Sequence, residues 1–112
     1  MRIKPQFFSK KWGYEKTIIN NEKYCGKILK MAFGQTTSLH YYKTKDKTYY
    51  INEGQVEIYS HGTWQILTRG CAYRISPGEI HQVHALEDSE IIEFSTFHDD
   101  NDAVPVKEKK ID

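Results

Sequence analysis

Two histidines, His40 and His81, sit in sequence surroundings that would aim an imidazole rather than leave it loose in solvent. His40 lies in the run Thr36-Thr37-Ser38-Leu39-His40-Tyr41-Tyr42. In an extended chain, alternation puts Ser38, His40 and Tyr42 on one face and Leu39 and Tyr41 on the other. A purely structural core avoids such a polar row, so an inward-facing row marks a polar interior. His81 follows Ser76-Pro77-Gly78-Glu79-Ile80, and the Pro-Gly turn fixes the direction in which it is presented. His84 has an odd offset from His81 and is expected on the opposite face. An imidazole can move a proton near neutral pH, with Tyr42 as hydrogen-bond partner or acid. The blander alternative is that both histidines are satisfied by hydrogen bonds and do no chemistry.

The elements that must hold these residues read as short strands separated by turn residues, with no helical period. Expected strands are Glu15 to Ile19, Lys23 to Phe33 with a bulge near Gly26, Thr36 to Lys43, and Lys47 to Ile51. They continue with Gln55 to Tyr59, Thr63 to Leu67, Ala72 to Ile75, Ile80 to Leu86 and Glu90 to Phe97. Asn52-Glu53-Gly54, Ser60-His61-Gly62 and Ser76-Pro77-Gly78 supply the turn chemistry between them. Short strands at roughly ten-residue spacing point to an all-β sandwich or barrel. From His98 onward acidic residues give way to Lys107-Glu108-Lys109-Lys110. Residues 99–112 are therefore expected to form a flexible charged tail, its first part clipped across the barrel.

Composition narrows the classes. The chain has 112 residues, enough for one domain over residues 1–112. It is 38% hydrophobic and 28% charged, a balance that belongs to a globular protein rather than a disordered one. A net charge of +1 gives no electrostatic reason to expect nucleic acid or an anionic membrane. No apolar run approaches the roughly 20 residues of a membrane span. The N-terminal MRIKPQFFSKKWGYE is charged without the apolar segment of a secretory leader, so a cytoplasmic location is expected. Cys25 and Cys71 match no metal or redox spacing and read as free thiols of a reducing compartment. Trp12 and Trp64 read as packing or subunit-contact residues, and Arg69, Arg74, Glu79, His61 and His98 as solvent-facing turn or tail residues.

The two histidines also sit within spaced motifs. Gly34, five residues, His40-x-Tyr42, four residues, Lys47, six residues and Gly54 resemble the first motif of the cupin superfamily. Gly70, five residues, Ser76-x-Gly78-x-x-His81, three residues and Ala85 resemble the second. Together they span residues 34–85. Lys11-Trp12-Gly13-Tyr14-Glu15, Ser38-Leu39-His40-Tyr41 and Glu93-Phe94-Ser95-Thr96 are similar to the cupin domain of type II mannose-6-phosphate isomerases. The resemblance implies a double-stranded β-helix, or jelly-roll barrel, of two antiparallel sheets with a pocket at one end. It also implies a divalent transition metal held by three imidazole or amide side chains and a carboxylate.

The departures from that pattern shape the expected chemistry. The matching positions are His40, Tyr42, Lys47 and His81, so a lysine replaces the carboxylate. An ammonium has no lone pair and repels a dication. His40 and His81 remain as two metal ligands of a degraded site, and no resident cofactor is expected; catalytic sites usually offer three protein ligands. Lys47, Tyr49 on its parity, and Ser38 are expected to bind ligand, with His40, His81 and Tyr42 as the catalytic candidates. Lys47 would supply the positive charge of the lost metal and suit a carboxylate or phosphate. The implied function is binding of a small polar metabolite, a sugar or sugar phosphate, with isomerase-like chemistry open. A metal-dependent isomerase or dioxygenase and a non-catalytic regulatory barrel stay open beside it. Small cupins commonly pair, and Phe7, Phe8 and Trp12 would serve that purpose, so a homodimer is expected.

Overall fold

Each interior strand alternates buried and open positions, and that alternation closes two sheets face to face around a shared core. The computed structural model describes residues 1–107; the rest of the expected tail, 108–112, lies outside them. The strands are β1 (Gln6–Lys10), β2 (Gly13–Asn20), β3 (Cys25–Met31), β4 (His40–Tyr42), β5 (Lys47–Glu53) and β6 (Gln55–Ser60). They continue with β7 (Thr63–Thr68), β8 (Ala72–Ile75), β9 (His81–Ala85), β10 (Ser89–Ser95) and β11 (Ala103–Pro105). One sheet has the order β1-β2-β3-β10-β5-β8 and the other β11-β4-β9-β6-β7. Every pairing is antiparallel. Among the described residues no helix is long and apolar enough to cross a membrane.

The interior is divided along the strands. At one end Leu29 and Met31 of β3, Ile51 of β5, Val56 and Ile58 of β6, Val83 and Ala85 of β9 and Ile91 of β10 form the apolar core. Burying each large aliphatic side chain is worth about 1.5–3 kcal/mol. Continuing on the same inward parity toward the other end, the positions become Lys27, Lys47, Ser60, His81 and Glu93, all buried. The apolar end therefore fixes the register that turns the polar residues inward.

Turns behave as their residues dictate. His61 and Gly62 both take positive φ between β6 and β7, as a tight hairpin turn requires. Gly54 has a φ of +82°, and a Cβ there would strike the Asp88 carbonyl and Ser89. The expected strand from Thr36 to Lys43 contracts to β4. Upstream of it, Thr37 ties to β9 through its own amide and hydroxyl: its N–H donates to the Val83 carbonyl and its Oγ1 accepts from the Val83 N–H. β1 is not visible in the sequence because all five of its residues are exposed, so no burial alternation marks it. Phe7 and Phe8 stay exposed on this edge, whereas Trp12 packs against the chain's own core.

The first part of the expected tail lies against the barrel as ordered structure. Asp99 to Pro105 form a 3₁₀ turn and strand β11, which pairs with β4. Asp102 anchors it by accepting the backbone N–H groups of Thr44 and Lys45 at 3.0 Å each. Acidic residues that look like solvated tail in sequence here close loop 43–46 from outside.

Candidate functional site

His40 and His81 meet as direct cross-strand partners of β4 and β9. Their ring centroids are 4.6 Å apart. Each imidazole is oriented by its own chain: His40 Nδ1–H donates to the Ser38 carbonyl at 2.8 Å, and His81 Nδ1–H to the Glu79 carbonyl at 2.9 Å. Both Nε2 atoms therefore carry lone pairs. That of His81 is fully buried with no hydrogen-bond partner among the described residues.

The turn Ser76 to Glu79 makes this possible. Pro77 precedes Gly78 at a φ of +82°, and the Gly78 N–H donates to the Tyr42 carbonyl at 2.7 Å. Glu79 is not the solvent-facing residue expected from the sequence. Its carboxylate accepts from Ser60 Oγ at 2.6 Å and from the Ser76 N–H at 3.1 Å, pinning the turn that aims His81. His84 lies on the opposite face, 2.9 Å from Glu57.

A small cavity of about 220 Å³ opens beside the pair, lined by Ser38, His40, Tyr42, Lys47, Tyr49 and Glu93 among others. The structure thus gathers the sequence-derived candidates in one place, with His81 behind His40. Tyr42 stands edge-on to His40 at 5.3 Å between centroids. Its ring also receives two ammonium groups, Lys45 Nζ at 4.7 Å and Lys47 Nζ at 4.8 Å.

Sequence reasoning missed the charges that complete the site. Lys45, in the turn between β4 and β5, is 2% exposed, and Glu93 and Lys27 are each 3% exposed. Lys45 Nζ lies 2.7 Å from Glu93 Oε2, in close ion-pair contact though off the usual hydrogen-bond angles. Lys47 Nζ is 3.9 Å from Glu93 Oε1 and donates to the Tyr49 hydroxyl at 2.8 Å. Lys27 pairs with Glu15 at 3.4 Å. His98, assigned to the tail, accepts from Lys45 Nζ at Nδ1 at 3.0 Å and donates from Nε2 to Asp100 at 2.7 Å. Parity was the available signal: Glu93 shares the face of Ile91, and Lys27 that of Leu29.

These neighbours set the protonation states. Burial and then the Lys47 charge push His40 down to about 4 and His81 to about 3, so both are neutral near pH 7. The expectation that an imidazole titrates near neutrality is corrected accordingly. Lys47 takes that place: burial brings it down to about 7, against the opposing pull of Glu93. Burial alone would raise Glu93, but Lys47, Lys45 and Lys27 outweigh it and hold the carboxylate down at about 2. Burial, reinforced by Glu93, keeps the Tyr42 and Tyr49 phenols protonated.

The donor set does not fit a resident metal. His40 lines the site with His81 behind it, but the next groups are a protonated phenol and an amine already bonded to Tyr49. Among the described residues no three His, Cys, Asp or Glu side chains converge to hold a metal ion.

A two-sheet antiparallel sandwich with a polar pocket at one end is a cupin-type fold, and comparison with solved structures agrees. KdgF from Halomonas sp. superposes with a TM-score of 0.77 at 21% identity, over 88% of this chain and 90% of that one. An RmlC-like cupin from Shewanella frigidimarina gives 0.78 at 14% identity, over 87% of each chain. Oxalate decarboxylase from Bacillus subtilis gives 0.77 at 16% identity, over 91% of this chain and 30% of that one. No family model matches the chain, and no curated protein matches it in sequence.

Proposed function

We propose that the pocket binds a small anionic metabolite of the sugar-phosphate or sugar-acid class without a metal, and that its imidazoles support an isomerase-like proton transfer. The observation that carries this reading is Lys47: a buried amine stands where the cupin motif has a metal-binding carboxylate. The interior holds Lys27, Lys45 and Lys47 against Glu15 and Glu93, so an entering carboxylate or phosphate meets the cation in excess. His40 Nε2 can accept from a ligand hydroxyl, with His81 buried behind it, and the Tyr42 phenol can donate. Such a patterned set suits a polyhydroxy compound. At about 220 Å³ the cavity is smaller than the usual 300–1,000 Å³ of drug-sized sites, which favours a ligand of a few carbons.

The bound anion would draw a proton toward the imidazoles by offsetting the Lys47 charge, giving a base beside a carbonyl carbon. One structural neighbour is an oxalate decarboxylase by its name, which is compatible with a small-acid ligand here. The test is thermal unfolding of chelator-treated protein with a panel of sugar phosphates and small carboxylates, followed by deuterium exchange next to the carbonyl of any ligand found. A rise in melting temperature that chelation leaves intact is expected. Binding that appears only after a divalent metal is restored would overturn the reading.

A further inference from the structure

Of the three interior lysines, two have a carboxylate of their own and one does not. Lys27 pairs with Glu15 at 3.4 Å, and Lys45 takes Glu93 at 2.7 Å. Lys47 is left 3.9 Å from the other Glu93 oxygen, and its one short contact is the Tyr49 hydroxyl at 2.8 Å. A lysine placed only to attract anions would keep its ammonium hydrated or directly paired. Lys47 is 2% exposed, lines the cavity, and has Lys45 nearby on the same Tyr42 ring. Burial and a neighbouring cation are the two conditions that free an amine to act as a nucleophile. The groups that imine chemistry needs stand nearby: a phenol in contact, His40 on the cavity wall, and behind it His81, whose buried Nε2 has no hydrogen-bond partner among the described residues.

We propose that Lys47 forms a reversible imine with the carbonyl carbon of a small aldehyde or ketone that carries an anionic group. The inference rests on the reading of the pocket as a site for small anionic metabolites and names the bond made there. The Lys47 nitrogen pair attacks the carbonyl carbon; an N–C bond forms and the C=O π pair moves to oxygen, which takes a proton from the Tyr49 phenol. An imidazole Nε2 accepts the proton shed by nitrogen. The nitrogen pair then closes the C=N bond as the C–O bond breaks, and oxygen leaves as water with a second proton, returned from the imidazole. The iminium N–H proton goes back to the Tyr49 phenolate to leave the neutral imine. One water is released and nothing is oxidised. Lys10, exposed at the cavity rim, is placed to meet the anionic group.

The experiment incubates the full chain with pyruvate, and separately with dihydroxyacetone phosphate, in the presence of cyanoborohydride, which reduces an imine to a stable amine. Intact mass and peptide mapping then locate the adduct, and the melting temperature is measured in parallel without reductant. The expected result is one adduct per chain, of the probe mass less one water plus two hydrogens, on Lys47 in preference to exposed Lys43. Lys47→Arg keeps the charge and should lose the adduct completely. The mapping on the unaltered chain decides the matter even if that variant fails to fold. A raised melting temperature with no adduct on Lys47 would overturn the imine and leave the anion pocket standing. Adducts spread over exposed lysines alone would overturn the imine too, and the absence of both signals would overturn the imine and the pocket reading for these probes.

Discussion

Lowering the pH from about 7 to about 4.5 should remove on the order of 5 kcal/mol of folding stability through two side chains alone. His40 and His81 have unfolded-state values of 6.5 and are held at about 4 and about 3 in the fold. Between 6.5 and those values the unfolded chain binds protons that the folded chain refuses, so stability falls as the pH falls. At about pH 4.5 each group is roughly two pH units below its unfolded value and still neutral in the fold, or about 2.7 kcal/mol apiece. Glu93, held at about 2, adds a loss of the same sign below about pH 4.5. A small domain has roughly 5–15 kcal/mol in total, so the effect is a large fraction of it. Urea unfolding at stepped pH, followed by circular dichroism, measures the change at constant slope. His81→Gln carries no titrating ring and should remove about half of the pH dependence. A stability change under about 1 kcal/mol across this range would show that the imidazoles are hydrated or charged in the fold, and the account of the site would fail with it.

Other perturbations address the surrounding structure. Glu93→Gln leaves Lys45 and Lys47 buried without their carboxylate and should cost about 3–5 kcal/mol in chemical denaturation. Asp46→Asn, which breaks an exposed pair with Arg74 at 2.7 Å, should cost at most about 1 kcal/mol. If the two losses came out alike, Glu93 would not be neutralising a buried cluster. Lys47→Glu places a carboxylate near His40 and His81 and should create affinity for a divalent transition metal; calorimetry showing no gain would mean Lys47 is not what opposes metal binding. Gly54→Ala and Gly34→Ala both force alanine into a φ of +82°, but only at Gly54 does a Cβ meet neighbouring backbone. Gly34→Ala should cost about 1–2 kcal/mol and Gly54→Ala clearly more, read from the shift in melting temperature.

The strand pattern and the two histidines were legible because they depend on local rules. Period-two alternation and turn residues mark β3, β5, β6, β9 and β10 without any knowledge of their partners. Motif spacing singled out His40, Tyr42, Lys47 and His81, and parity carried Tyr49 and Ser38 with them. Of the missed residues, Lys27 and Glu93 are charged groups on the inward parity of β3 and β10, whereas Lys45, Glu79 and His98 lie in turn or tail stretches that default to solvent. What buries them is long-range. Asp102 reaches back to the amides of Thr44 and Lys45, and His98 reaches the Lys45 amine across more than fifty residues of chain.

The register explains why core and site stand or fall together. Glu93 opposes Lys27 on one side and Tyr49 on the other, and Ile91, two residues earlier on the same face, opposes Leu29 and Ile51. A one-residue slip of β10 would turn Ile91 and Glu93 outward together and bring Ile92 and Phe94 in. Such a slip would also carry Glu90 inward and leave Lys45 and Lys47 buried without their carboxylate, and these costs oppose any movement that would expose Glu93. With Glu93 inward, Lys45 sits 2.7 Å from one carboxylate oxygen and Lys47 3.9 Å from the other, so the closer pairing goes to Lys45. The loosely paired Lys47 amine, held at 2.8 Å by the Tyr49 hydroxyl, thus follows from the register that sets Glu93 between Lys27 and Tyr49.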